Sequence, residues 1–122
     1  MIAEIDAYIK RGGGLQIQEA EVNDPTVVLI GDGWSLAIVC PWRLLLERAE
    51  VVPWESDDSG DAFWALIGHT IVGVSGSHDQ EHPNAPVFEI SGGYILKLEP
   101  DTDLDPWVLQ TKGMTYVGSL GG

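Results

Sequence analysis

"TVVLIGDGWSLAIVC" occupies positions 26–40 and "APVFEISGGYILKLE" positions 85–99. Each is a pair of apolar or alternating runs joined by a glycine-bearing turn, the pattern of two β-strands folded back as a hairpin. In the first, Asp32-Gly33 within Gly31-Asp32-Gly33 supplies the positive φ angles of a tight turn. In the second, the turn is Ser91-Gly92-Gly93. At an offset of sixty the stretches agree in chemical type, with Val27 on Val87, Ile30 on Ile90, Gly33 on Gly93, Trp34 on Tyr94, Leu36 on Leu96 and Ile38 on Leu98.

The agreement continues outward from the hairpins. Downstream, five extra residues within "EPDTDLD" shift the offset to sixty-five, which brings Pro41-Trp42 onto Pro106-Trp107, Leu44 onto Leu109 and Val51-Val52 onto Tyr116-Val117. Upstream, "DAYIKRGGGLQI" (6–17) resembles "DAFWALIGHTIVGV" (61–74), an Asp-Ala-aromatic opening, a short helical stretch, glycine, then a strand. The chain therefore reads as an internal duplication of a helix-plus-antiparallel-meander unit, 2–54 and 59–119, joined by the acidic linker 54–61.

The expected fold is mainly β with two short helices (α+β), the units packed as half-sheets into a sandwich or partly open barrel within one domain, 1–122. In the first helix Ile2, Ile5 and Ile9 share a face, and Gly12-Gly13-Gly14 ends it. In the second, Ser59 or Asp61 caps, Phe63, Trp64, Leu66 and Ile67 form the apolar face, and Gly68 terminates. Each Pro-Trp pair fits a strand start or corner, because proline has no N–H to donate, and the Trp that follows is expected to turn inward.

Composition limits the class. With 122 residues, 44% hydrophobic, the chain is long enough for one core without metal or disulfide. No apolar run approaches a membrane span. One cysteine allows no internal disulfide, and the amino terminus has the wrong order of charge and apolar residues for a secretory signal, so a cytoplasmic location is expected. Nineteen acidic against six basic residues give a net charge of −13. That field opposes direct contact with nucleic acid or anionic membrane and attracts a basic protein, although acidity also serves solubility alone.

Four carboxylates, Glu55, Asp57, Asp58 and Asp61, lie near the second helix's start. Helix capping accounts for one of them, and the surplus suggests a contact patch. Asp101, Asp103 and Asp105 have the rhythm of a calcium loop, but Pro106 stands where that loop needs glycine and Lys112 where it needs a bidentate Glu. "HDQEH" (78–82) has the spacing of an inverted zincin motif, yet Pro83 follows directly and disfavours the required helix. Cys40 reads as a buried, inert thiol. No catalytic residue, metal site or cofactor is expected.

The blocks "GWSLAIVCPWRLL" (33–45), "IGHTIVGV" (67–74), "GGYILKLEP" (92–100), "PWVL" (106–109) and "VGSLGG" (117–122) resemble a domain-of-unknown-function family of small acidic bacterial proteins with Trp-Ser-Leu and Trp-Arg-Leu motifs. Such proteins are found near toxin or conflict systems, so the resemblance implies an immunity-protein role and transfers no catalytic residues. The expected function is a non-enzymatic binding protein that blocks a basic toxin, nuclease or effector through the acidic residues named above. Alternatives are a phage-borne anti-CRISPR or DNA-mimic inhibitor, and a small-molecule or metal-binding module. Oligomeric state is left open.

Overall fold

A computed structural model describes residues 1–23, 26–47, 49–53, 59–78, 80, 84–101 and 105–119, with backbone alone at 50–53 and 59–61. The first helix is α1 (Ile2–Arg11), followed by β1 (Leu15–Gln16), β2 (Glu19–Asn23), β3 (Thr26–Gly31), β4 (Trp34–Ile38), β5 (Trp42–Leu46) and β6 (Ala49–Pro53). Then come α2 (Ser59–Trp64), β7 (Thr70–Gly76), β8 (Pro86–Ile90), β9 (Tyr94–Leu98), β10 (Trp107–Gln110) and β11 (Thr115–Val117). The strands form a six-stranded sheet, β1-β7-β8-β9-β5-β6, and a five-stranded sheet, β11-β10-β4-β3-β2. Every pairing is antiparallel. The mainly β sandwich with two helices is thus the observed architecture.

Alternation of side chains builds the core. Leu29, Leu36, Ile38, Trp107 and Leu109 of one sheet and Trp42, Leu44, Phe88, Leu96 and Leu98 of the other are at most 2% exposed and belong to one cluster. Such period-two burial is what places alternate residues on one face of a strand. Ile5 and Ile9 of α1 join the cluster as the helical spacing requires, while Ile2 is only partly buried. On α2 the expected face is half correct. Phe63 and Leu66 are fully buried, but Trp64 is 57% and Ile67 44% exposed. The helix ends at Trp64, and the chain continues in tight turns, Leu66 N–H to Phe63 O and Ile67 N–H to Trp64 O, which swing those side chains outward. Asp61 is the third residue of α2 and so is not its cap.

The expected units do not stack as separate half-sheets. Hairpin β3–β4 pairs with β10 of the second half, and hairpin β8–β9 pairs with β5 of the first. The strand that follows each hairpin opens directly after a proline, Pro41 before β5 and Pro106 before β10, which has no N–H to donate to a ladder, and the chain crosses to the other sheet before that strand begins. The crossings correspond, with Val39 N–H donating to Pro106 O (2.9 Å) and Glu99 N–H to Pro41 O (2.8 Å). The orders β2-β3-β4-β10-β11 and β7-β8-β9-β5-β6 therefore superpose. Register agrees as well, with Trp107 opposite Ile38 and Leu109 opposite Leu36, as Trp42 is opposite Leu98 and Leu44 opposite Leu96. This is a match of topology and register; descent of the halves from one ancestral unit stays an expectation of the sequence.

Two arms of the alignment are displaced. In the last strands Leu44 pairs with Val52 as Leu109 pairs with Tyr116, so Val52 and not Val51 falls on Tyr116. In β3–β4 Gly31 pairs with Trp34 across two residues, whereas in β8–β9 Ile90 pairs with Tyr94 across the 3₁₀ turn Ser91–Gly93. The additional turn residue puts Phe88, not Glu89, in the place of Leu29. Val27 is buried and Val87 half-buried, and Ile90 is buried where Ile30 is half-buried, because a one-residue slip reverses the faces of a strand. The first turn also differs from expectation, since Gly33 has positive φ (77°) and Asp32 does not.

Candidate functional site

Of the sequence-predicted contact residues, Glu55, Asp57, Asp58 and Asp103 lie outside the described residues, as does the side chain of Asp61. Asp101 and Asp105 are exposed and belong to the connection between β9 and β10. Asp105 adopts positive φ (48°) directly before Pro106, whose carbonyl receives the Val39 N–H. Asp105 therefore stands at the end of β4 and β10, beside Val39, which is 45% exposed, and Asp101 is close enough to the neighbouring Cys40 for its charge to act on that thiol.

That end borders the outer face of the five-stranded sheet. Cross-strand register sets Glu21, Val28, Ala37, Val108 and Val117 in one row and Glu19, Ile30, Ser35, Gln110 and Thr115 in the next. Glu19 and Glu21 are exposed at the β2 margin; the other eight residues are uncharged. No acidic residue occurs from 106 to the end of the chain. The result is a small-residue aliphatic surface with carboxylates on its β2 side and, through Asp101 and Asp105, at its Val39 end. The outer face of the six-stranded sheet is different, since it carries Arg43, Glu89 and Lys97 together on neighbouring strands.

Electrostatic pairing separates the carboxylates further. Asp6 contacts Lys10 at 3.0 Å, and Glu99 contacts Arg43 at 3.0 Å. Asp6 Oδ1 also accepts the Val74 N–H at 2.9 Å, and that hydrogen bond, with Lys10, holds its carboxyl below the ordinary value. Glu4, Glu19, Glu21, Asp32, Glu47, Glu89, Asp101 and Asp105 are exposed and make no ion pair among the described residues. Exposed carboxylates held without cations keep their long-range field available to a partner.

Reactive groups are placed as follows. Cys40 is 2% exposed, and burial pushes its thiol up to about 12, so it is un-ionised and a poor nucleophile at neutral pH. His78 is exposed, while Asp79, Glu81 and His82 lie outside the described residues. No group of three potential metal ligands is found among the described residues. A pair not selected from the sequence is His69 and Ser91, with Nδ1 3.3 Å from Oγ. Ser91 Oγ also accepts the Thr70 N–H at 2.9 Å, and the His69 ring meets Tyr94 edge-on at 5.2 Å. These contacts fasten the 3₁₀ turn to the start of β7. The outer sheet face was likewise missed, because each strand contributes only two or three outward residues and the row appears only after register is known.

No helix among the described residues is long and apolar enough to cross a membrane. Comparison of the chain with protein-family models, with curated proteins and with solved structures gave no match.

Proposed function

We propose that the protein is a non-enzymatic binding domain that occludes a basic protein partner, with the outer face of the five-stranded sheet as its contact surface. The observation that carries this reading is the juxtaposition of an uncharged aliphatic row, Val28, Ala37, Val108 and Val117, with unpaired carboxylates at its margins, Glu19, Glu21, Asp101 and Asp105. A desolvated apolar centre inside a polar rim is the usual anatomy of a protein interface. The net charge of −13 would steer a cationic partner toward it and make association fast and salt-sensitive. An immunity protein that blocks a toxin or nuclease has this requirement, and the family resemblance of the sequence motifs points the same way.

Two variants test the reading by affinity capture at low salt. Glu19→Lys/Glu21→Lys leaves the core untouched and should abolish retention of a basic protein that wild type retains. Val108→Asp, in the centre of the face, should do the same. Unchanged retention by both would remove this surface from consideration, and a loss seen only with charge reversal of Glu55, Asp57 and Asp58 would move the contact to the linker.

A further inference from the structure

A second surface feature has the opposite charge. A cavity of about 380 Å³ lies between the end of α1, the β3–β4 turn and the β10–β11 turn, lined in part by Tyr8, Arg11, Leu15, Asp32, Trp34 and Lys112. Arg11 and Lys112 are two of only six basic residues in the chain, 101 positions apart, yet the fold brings them to one concavity. Of the rest, Lys10 is paired with Asp6, Arg43 with Glu99, and Lys97 stands on the outer face of the other sheet; Arg48 is outside the described residues. Neither Arg11 nor Lys112 makes an ion pair among the described residues, despite nineteen acids in the chain.

The lysine is held in place by the turn. Its methylene chain lies against Gly33, where a Cβ would collide with Lys112 Cε and come within about 3 Å of Cγ and Cδ. Gly33 also has positive φ, so glycine there serves both the turn and the close approach. Trp34, 6% exposed, and Tyr8 add aromatic surface, and Leu15 adds an aliphatic wall. A concavity of this volume, with apolar and polar surface in nearly equal share and charged groups converging on it, can admit a small molecule.

We infer that this cavity binds a small monocarboxylate with an aromatic body. Two cations and the Asp32 carboxylate leave the lining with a net charge of +1, which a single carboxylate matches. Arg11 offers the planar fork that holds a carboxylate through two hydrogen bonds, and Lys112 a point charge beside it. The ring packs with Tyr8 and Trp34. The surrounding acidic field disfavours ligands of higher negative charge. This site is independent of the protein-binding reading and adjoins one end of that sheet face, with Trp34 next to Ser35 and Lys112 two residues beyond Gln110.

The test uses the whole chain labelled with ¹⁵N and titrated with indole-3-acetate or benzoate, each beside its neutral amide. The carboxylates should shift the Trp34 indole and Gly33 amide signals saturably, and the amides should bind at least tenfold more weakly. Arg11→Gln and Lys112→Gln should each weaken carboxylate binding about tenfold while leaving the circular dichroism spectrum unchanged. Equal response to acid and amide, or no movement of the Trp34 and Gly33 signals at millimolar ligand, would overturn the assignment. Because the acid–amide comparison is made on wild type, misfolding of a variant does not protect the proposal.

Discussion

Trp42 and Trp107 each open a strand immediately after proline, and both rings are buried, at 2% and 0% exposure. Trp42 meets Phe63 of α2 edge-on, with ring centroids 4.5 Å apart. Replacing either tryptophan by alanine should therefore cost about 3–5 kcal/mol in urea denaturation; a loss below about 1 kcal/mol would exclude a core role. The two positions differ in one respect. Trp107 Nε1 is buried without an acceptor among the described residues and lies against Gly118, where a Cβ would overlap the indole. Trp107→Phe removes that orphan donor and should cost about 1 kcal/mol, well below the alanine variant, while Gly118→Ala should destabilise by about 1–3 kcal/mol through overpacking. Burial of these tryptophans was readable from Pro-Trp alone. The orphan N–H was not, because it depends on a glycine eleven residues further along the chain. Cys40 was readable too, and its elevated thiol predicts slow reaction with alkylating reagents at pH 8, rising only as the protein unfolds.

Helix α1 illustrates what can be read at the scale of an element. Its buried stripe, Ile5 and Ile9, follows directly from spacing. Its second task does not. β7 is paired with β1 only at Thr70–Ile71, and further along the same edge the Val74 N–H is taken by Asp6 Oδ1. The helix thus closes part of an edge that would otherwise offer an unpaired donor. Asp6→Ala should cost about 1 kcal/mol at pH 7. Because the folded-state carboxyl lies below its ordinary value of 3.8, the stabilisation is present above that pH and fades as pH falls through the folded-state value. The difference between wild type and Asp6→Ala should accordingly narrow below pH 3.8 in acid titrations of stability. Where the element-level reading failed, at β8, one extra turn residue reversed the faces of the strand, and the signal for it was Glu89, a charge that the offset of sixty would place at the buried position of Leu29.

At the scale of the molecule, hairpins, helices and the sandwich class could all be recognised from periodicity and turn residues. The exchange of strands between sheets could not, since sequence similarity identifies equivalent strands without saying which sheet each joins. The candidate surface has the same history. Asp101 and Asp105 were visible as acids, but Val28, Ala37, Val108 and Val117 become one row only through three strand pairings. Net charge was legible from the start, and its separation into an acid-rimmed neutral face and a cationic cavity needed the fold.

Docking of a basic protein on the neutral sheet face and its acidic margin is open to a single experiment, affinity capture from lysate of the source organism at about 50 mM salt. Wild type and Glu19→Lys/Glu21→Lys are compared, and bound protein is eluted with a salt gradient. Wild type should retain a basic protein that leaves as salt screens the attraction within a Debye length of about 10 Å, and the variant should retain none of it. Equal retention by the two proteins, elution indifferent to salt, or no basic protein retained by wild type would contradict the account.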